Sequence, residues 1–504
     1  MKKIFTLIAM VCLSLTAVAE DFECGLRVIL NGEPSDFQTA TISCTEKDNG
    51  KLDIKLNEFV FMNIPVTAEL TDIATTEAEN GIEFSTDTEV KLGGGLPSAT
   101  LPAKIEGYIV DGDLELLLNL VADNLDVTVA LTSRSTQIFG SDFEEWHTAT
   151  TSTGDKTSNE PNGWHSFMSA TGQWANLVEG YPHVFISDDV REGSESTKSV
   201  RIISSNVMGI ASANGTITTG RMKAGSMSPS DSQNCAFLDP DSEDVDGNGN
   251  LFYNEMKGMP TSISMWYKYK AGEGNTENNK ASLRAVITDG TYYQDPADKE
   301  YTNIVAVAEN QEIPETSEWR KITIPFDYLT YSENEVEPKS ILVTISTCAV
   351  AGGGSKSDEN PDELFVDDID LNYDLNVSGI SIFGRPIEGF DPETHEYNIT
   401  VASVPERDDI DVFSDMDFYS WIEIPFYDEA SKTLTLNVFN EEFTSCATYK
   451  FNLTIDPTGV NAVEGTSNHS VVGRYNANGQ NVNGKSKGII ITKYADGTVE
   501  KTLK

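Results

Sequence analysis

The strongest constraint on how this chain folds is a two-residue rhythm of apolar side chains, repeated between turn signals. Leu52, Ile54 and Leu56 alternate with polar or charged residues, and so do Leu125, Val127, Val129 and Leu131. Alternation of period two places one set of side chains on one face of a strand. Turn-forming residues separate such runs at Asp48-Asn-Gly50, Asn80-Gly81, Gly93-Gly-Gly95 and Asp111-Gly-Asp113. After Leu56 the parity slips to Phe59 and Phe61, which predicts a bulge or sheet corner. Residues 114–120 fit a short helix on pattern alone, but their surroundings favour a strand. Residues 20–136 therefore read as an N-terminal antiparallel barrel or meander.

The same logic extends down the chain and makes the fold class all-β. Residues 137–373 contain strand candidates such as Ser262-Ile-Ser-Met-Trp-Tyr-Lys-Tyr269, Trp319-Arg-Lys-Ile-Thr-Ile324 and Phe365-Val-Asp-Asp-Ile-Asp-Leu371. Long polar loops separate them, and no segment holds a helical period over three turns. Many strands with long loops favour a central jelly-roll β-sandwich. Two aromatic–acidic clusters, Phe143-Glu-Glu-Trp146 and Pro161-Asn-Gly-Trp164, flank a polar run and read as the fastening of this sandwich. Residues 374–456 form a third, small β-sandwich, and 457–504 a short C-terminal β segment. That last segment changes character: residues 471–504 carry six basic and two acidic side chains, in a chain whose formal charge is −45.

The first 19 residues have the organisation of a secretory signal. Lys2 and Lys3 precede an apolar run from Ile4 to Leu15, and Ala17-Val-Ala19 supplies small residues for cleavage. The run is too short to span a bilayer, and no later stretch of about 20 apolar residues exists, so no transmembrane segment is expected. The expected location is outside the cytoplasm of a Gram-negative bacterium: secreted, on the cell surface or periplasmic. The acidic balance argues against nucleic acid as a partner, because phosphates would be repelled. Five cysteines remain after cleavage: Cys24, Cys44, Cys235, Cys348 and Cys446. They are too few for a disulfide scaffold, and Cys24 and Cys44 read either as a cross-link or as buried small residues. No Cys/His cluster has zinc spacing, and the five histidines are scattered.

Four segments resemble known families. Phe22 to Asn31, Lys51-Leu-Asp-Ile-Lys-Leu-Asn-Glu-Phe59, Ile64-Pro-Val66 and Asp113 to Leu120 resemble the calycin-like β-barrel domain of exported Bacteroidetes-type proteins. Phe143-Glu-Glu-Trp146, Pro161-Asn-Gly-Trp164, Trp266-Tyr-Lys-Tyr269, Trp319-Arg-Lys-Ile322 and Phe365-Val-Asp-Asp-Ile-Asp-Leu371 resemble the "putative carbohydrate metabolism domain" family. That resemblance implies an exported, glycan-related jelly roll and carries no catalytic residue. Val377-Ser-Gly-Ile-Ser-Ile-Phe-Gly384, Gly389-Phe-Asp-Pro-Glu-Thr-His-Glu-Tyr-Asn-Ile-Thr-Val401 and Tyr449-Lys-Phe-Asn-Leu-Thr-Ile455 are similar to the cadherin-like β-sandwich of bacterial surface proteins. Arg474 to Gln480 and Lys487 to Lys493 resemble type IX sorting-like C-terminal β segments, which implies either receptor-read sorting or β-capping.

Sugars present a face of C–H bonds and a rim of hydroxyls, so their sites combine exposed aromatic rings with carboxylates, amides and arginines. Trp174, in Thr171-Gly-Gln-Trp-Ala175, and Tyr292 and Tyr293, in Asp289-Gly-Thr-Tyr-Tyr-Gln-Asp295, are the candidate ligand-binding residues. Trp266 and Trp319 lie within strands and are assigned to the core. A glycosidase needs two carboxylates, for which Asp367, Asp368 and Glu144 are the candidates. A calcium-loop pattern spans residues 244–255, with Asp244, Asp246, Asn248, Asn250 and Glu255 as ligands and Gly249 at the sharp turn. Pro240 and Gly258-Met-Pro260 leave no flanking helix, so the expectation is calcium on a helix-free loop or an unoccupied acidic hairpin. The leading functional expectation is glycan binding without catalysis. The alternatives are a glycoside-active enzyme using an Asp/Glu pair, and a structural or adhesive surface protein with a protein partner.

Overall fold

The computed structural model describes residues 19–47, 49–78, 80–110, 112–122, 125–133, 137–149, 151, 154, 158–209, 211–414, 421–440, 442–456, 471–476, 489–494 and 499–503. The expected signal segment, residues 1–19, lies outside them except for Ala19, which begins the first strand. Among the described residues the chain is almost entirely strand, joined by turns and three-residue to six-residue helical pieces.

Eight long strands close the N-terminal barrel: β1 (Ala19–Leu30), β2 (Gln38–Glu46), β3 (Lys51–Phe61), β4 (Ile64–Ala74), β5 (Gly81–Gly94), β6 (Ala99–Val110), β7 (Asp113–Ala122) and β8 (Leu125–Thr132). Each pairs with the next, and β8 returns to β1 with Val28 opposite Val129. Closure removes the sheet edges that would otherwise invite association. The alternating residues read from the sequence fill the interior, including Leu52, Ile54, Leu56, Val129 and Leu131. The β3–β4 register shifts between Leu56 and Phe59, where the parity slip predicts a bulge. Residues 114–120 are strand, with Leu114, Leu116 and Leu118 fully buried. Cys24 and Cys44 are both buried here, and all five cysteines of the described chain are free thiols.

The central sandwich packs two main sheets. One orders β11 (Val184–Ser187), β12 (Ser199–Ile203), β22 (Glu363–Asn372), β16 (Ser262–Lys270) and β20 (Thr316–Pro325). The other orders β13 (Thr216–Thr218), β21 (Ser340–Ser346), β17 (Ala281–Thr288) and β19 (Ile304–Ile313). Their facing side chains form one apolar cluster that includes Ile202, Met265, Tyr267, Ala285, Ile345 and Val366. A short hairpin, β9 (Trp146–Thr148) with β10 (Asn159–Pro161), opens the domain, and a three-stranded sheet of β14 (Arg221–Ala224), β15 (Asn234–Leu238) and β18 (Tyr293–Asp295) lies beside it. The fastening role of the opening clusters is visible: Trp164 and Phe143 are fully buried with ring centroids 5.5 Å apart, and the Trp146 indole N–H donates to the Phe143 carbonyl at 2.7 Å.

The third sandwich pairs β23 (Gly379–Ile382) with β25 (Ile410–Phe413), and orders β24 (Glu396–Val401), β28 (Cys446–Ile455), β27 (Thr433–Asn440) and β26 (Trp421–Asp428) in a second sheet. It docks on the barrel. The Arg27 guanidinium donates to the carbonyls of Phe443 and Thr444 at 2.6 and 2.9 Å, and Ile29, Ala130, Ile422, Phe439 and Phe443 share an apolar cluster. The described residues fall into two compact units, one running to Ile399 and including Pro405–Leu453, the other Thr400–Val404 with Thr454 onward. Within the second, β29 (Val471–Asn476), β30 (Ile489–Tyr494) and β31 (Val499–Leu503) form an antiparallel meander.

Candidate functional site

Three places nominated by the sequence border the small β14–β15–β18 sheet. The Thr171 and Trp174 amides donate to the Met222 and Ala224 carbonyls of β14, both at 3.0 Å. Tyr292 immediately precedes β18, and its ring centroid lies 6.0 Å from that of Phe237 on β15. Asp244 reaches β14 through an ion pair with Arg221 at 2.6 Å. Between them lies a hollow of about 210 Å³ lined by Thr171, Arg221, Phe237, Asp239, Asp244 and Phe252. Trp174 and Tyr292 are each 36% exposed, whereas Tyr293 is 1% exposed. Strand alternation turns Tyr293 into the core against Tyr301, so of the two tyrosines only Tyr292 is presented outward. Burial, helped by Cys235, Asp298 and Asp239, pushes the Tyr292 hydroxyl up to about 12, so it remains a donor, here to Gln294.

The 244–255 loop forms a tight hairpin. Asp246 N–H donates to the Asn250 carbonyl at 2.8 Å, and Gly249 takes φ +88°, the left-handed turn that glycine tolerates. Its carboxylates have separate partners. Asp244 is held by Arg221, Glu255 is exposed on a segment bridged to Ser340, and Asn248 is exposed. Asn250 is half-buried. Asp246 turns inward: Oδ1 accepts the Asn248 and Asn250 amides at 2.8 Å each, and Oδ2 faces His165 Nε2 at 3.4 Å and His147 Nε2 at 3.7 Å. Burial would raise this carboxyl, but the bonds from His165, Asn250 and Asn248 prevail and hold it below the usual range.

The outer face of the five-stranded sheet carries Trp266 and Trp319, which are expected in the core, beside Phe185 and Phe365. Phe185 lies opposite Arg201, Arg201 opposite Phe365, and Phe365 opposite Lys268 across β11, β12, β22 and β16. Trp266, two residues from Lys268, faces Lys321 of β20, and Trp319 follows two residues away on that strand. These aromatic residues are half-buried while Met265, Tyr267 and Tyr269 fill the core face. The sequence signal that finds them is the alternation in Ser262–Lys270: once Tyr267 and Tyr269 are taken as inward, Trp266 and Lys268 must point outward. Lys268 Nζ sits 5.2 Å from the Trp319 ring and 4.8 Å from that of Phe365, and Asp189 accepts from the Trp319 indole at 3.2 Å. An open groove of about 710 Å³ runs along this edge between Lys268, Phe365, Glu363, Glu318, Glu315 and Arg320.

Asp367, Asp368 and Glu144 gather where this face is crossed by the 188–198 segment. Arg191 holds Asp368 at 2.6 Å, and Ser196 donates to it at 3.2 Å. Glu144 accepts the Thr197 and Lys198 amides at 2.6 and 2.9 Å. Asp367 is fully buried. Burial first, and then the charges of Asp368 and Glu144, raise its carboxyl to about 7, against the opposing Asp368 amide and Ser196. Its Oδ2 has no hydrogen-bond partner.

No family model and no curated protein matches the chain. Among solved structures, a "putative glycoside hydrolase" of Bacteroides vulgatus is 18% identical over 47% of this chain and 99% of its own, with a TM-score of 0.32. A second, from Bacteroides thetaiotaomicron, is 14% identical over 61% of this chain and 96% of its own, with a TM-score of 0.31. An M60 catalytic domain with two CBM51 domains from Clostridium perfringens is 9% identical over 97% of this chain and 44% of its own, with a TM-score of 0.16. At these values the resemblance assigns no function.

Proposed function

We propose that this is an exported protein that binds glycan through the outer face of its central sandwich, without catalysis. The observation that carries the reading is the row Phe185, Phe365 and Trp319 set among Arg201, Lys268, Glu363 and Asp189 beside an open groove. Aromatic faces stack on the apolar side of a sugar ring, and flanking charged groups pair with its hydroxyls. An open groove suits a polymer, because a chain enters it from the side and continues past both ends. The leader supports export, and the strongly acidic composition disfavours a polyanionic partner. Retardation of the purified mature chain in gels containing plant, host or microbial polysaccharides tests the reading. Binding should be lost in Trp319→Ala/Phe365→Ala, and absence of retardation by every polysaccharide counts against it.

A glycoside-active enzyme is the second reading, favoured by one observation. Asp367 titrates near 7 while Asp368, beside it in sequence, is held by Arg191, the unequal pair an acid and a base require. Asp367 is nonetheless enclosed, with no surface for a substrate. This reading predicts glycan turnover that disappears in Asp367→Asn, and a blank activity screen removes it.

A further inference from the structure

Beneath Phe252, which forms a wall of the 210 Å³ hollow, lies a polar cluster of which the calcium-loop pattern uses only Asp246 and the glycan reading nothing. His147 on β9 and Glu160 on β10 are cross-strand partners, His165 follows β10, and Asp246 enters from the hairpin. All four are buried, Glu160 and His165 completely. The hydrogen bonds fix both rings in one tautomer. His165 Nδ1 donates to the Gly220 carbonyl at 2.8 Å. His147 Nδ1 donates to Asn162 Oδ1 at 3.2 Å, and the Asn162 amide is oriented by its own donation to Glu145. With Nδ1 donating, Nε2 is in each ring the nitrogen turned toward carboxylate oxygen. His165 Nε2 lies 3.4 Å from Asp246 Oδ2, and His147 Nε2 lies 3.7 Å from Asp246 Oδ2 and 4.0 Å from Glu160 Oε2.

Imidazole nitrogens and carboxylate oxygens converge in a buried site only with a positive charge, a proton or a metal ion, between them. The spacing is too long for charge-assisted hydrogen bonds, which run at about 2.7–2.9 Å. Ligands about 2.0–2.1 Å from a tetrahedral zinc ion are separated by roughly 3.3–3.4 Å. His147 Nε2 and Glu160 Oε2 are buried with no hydrogen-bond partner. Glu160 Oε1, by contrast, takes three donors, from the Ser166 amide and hydroxyl at 2.6 and 2.5 Å and the Ser169 hydroxyl at 3.1 Å, which leaves Oε2 aimed at the cluster. Among the described residues no group of three or more His, Cys, Asp or Glu side chains is placed so that it could hold a metal ion as it stands. Binding an ion here therefore requires these four side chains to draw closer together.

We propose that His147, Glu160, His165 and Asp246 bind a divalent transition ion of the zinc class. Two imidazoles with two carboxylates suit zinc, whereas calcium takes six to eight oxygens. The rings already have the outer partners that orient metal-bound histidine: a backbone carbonyl for His165 and a side-chain amide for His147. The ion ties the β9–β10 hairpin to the 244–251 turn. That turn approaches so closely that a Cβ on Gly247 would lie 1.8 Å from the Thr148 carbonyl oxygen.

The untagged mature chain, stripped by chelator, is titrated calorimetrically with Zn²⁺ and in parallel with Ca²⁺. One Zn²⁺ per chain should bind and raise the melting temperature, and Ca²⁺ should do neither at this cluster. Glu160→Gln and His147→Gln should abolish zinc binding. Asn162→Leu should weaken it about 10–100-fold and Asn162→Asp should restore it, because Asn162 only orients His147. X-ray absorption on the wild-type zinc form should show histidine among the metal's direct ligands, which keeps the test decisive if a variant does not fold. No saturable zinc binding by wild type, binding that survives His147→Gln/His165→Gln, or a ligand set without histidine overturns the proposal.

Discussion

Arg191 stands 4.5 Å from the centre of the Trp266 ring and at the same time holds the Asp368 carboxylate at 2.6 Å. One guanidinium thus joins the aromatic face of the five-stranded sheet to the carboxylate cluster beneath the 188–198 segment. Its planar fork stacks and hydrogen-bonds together, which a lysine cannot do in one geometry. Arg191→Ala should destabilise the sandwich by about 1–3 kcal/mol. It should also make Trp266 more accessible to a soluble fluorescence quencher. Arg191→Lys should recover little of either, as thermal melting and quenching will show.

Asp367 predicts a pH dependence of definite sign. Its folded value of about 7 lies above the ordinary carboxyl value, so the native state retains a proton that the unfolded chain has lost. The stabilising effect is complete below about pH 4 and is lost as pH rises through 7. Asp367→Asn should therefore lose less stability than wild type on going from pH 5 to pH 8. The two slopes can differ by at most about 1.4 kcal/mol per pH unit, the effect of one proton. Equal slopes in chemical denaturation across this range would remove the assignment.

His183 acts in the opposite direction over part of the same window. Burial lowers it to about 4, against its hydrogen bond to the Ile203 carbonyl, so the folded chain keeps it neutral while the unfolded chain takes a proton. Stability from this group falls as pH drops from about 6.5 to 4. The two residues offset one another in wild type, and His183→Gln should expose the Asp367 slope in that range.

Trp164 and Trp319 should differ sharply on truncation. Trp164 is fully enclosed beside Phe143, and Trp164→Ala should cost about 3–5 kcal/mol through the cavity it leaves. Trp319 lies half-buried on the outer face, and Trp319→Ala should cost clearly less in the same denaturant titration while removing binding.

The strand rhythm makes the barrel legible, down to the register shift after Leu56, because one buried face enforces period two. It also identifies Trp164 as a fastener. It places Trp266 and Trp319 inward because an aromatic residue inside a strand is ordinarily core, and only the buried partners Tyr267 and Tyr269 reveal which face of β16 is outside. The histidines read as scattered because His147 and His165 are brought together by the β9–β10 hairpin rather than by a fixed spacing. Asp246 reads as one side-chain ligand of the calcium-loop pattern. Its inward orientation depends on Gly247 letting the turn close against Thr148, a long-range contact that local pattern does not encode.

Glycan binding by the outer sheet face is tested most directly by affinity electrophoresis of wild type beside Trp319→Ala/Phe365→Ala, with circular dichroism confirming that both are folded. The predicted result is retardation of wild type by at least one polysaccharide and free migration of the folded variant. Equal retardation of both, or none of wild type by any polysaccharide, would contradict it.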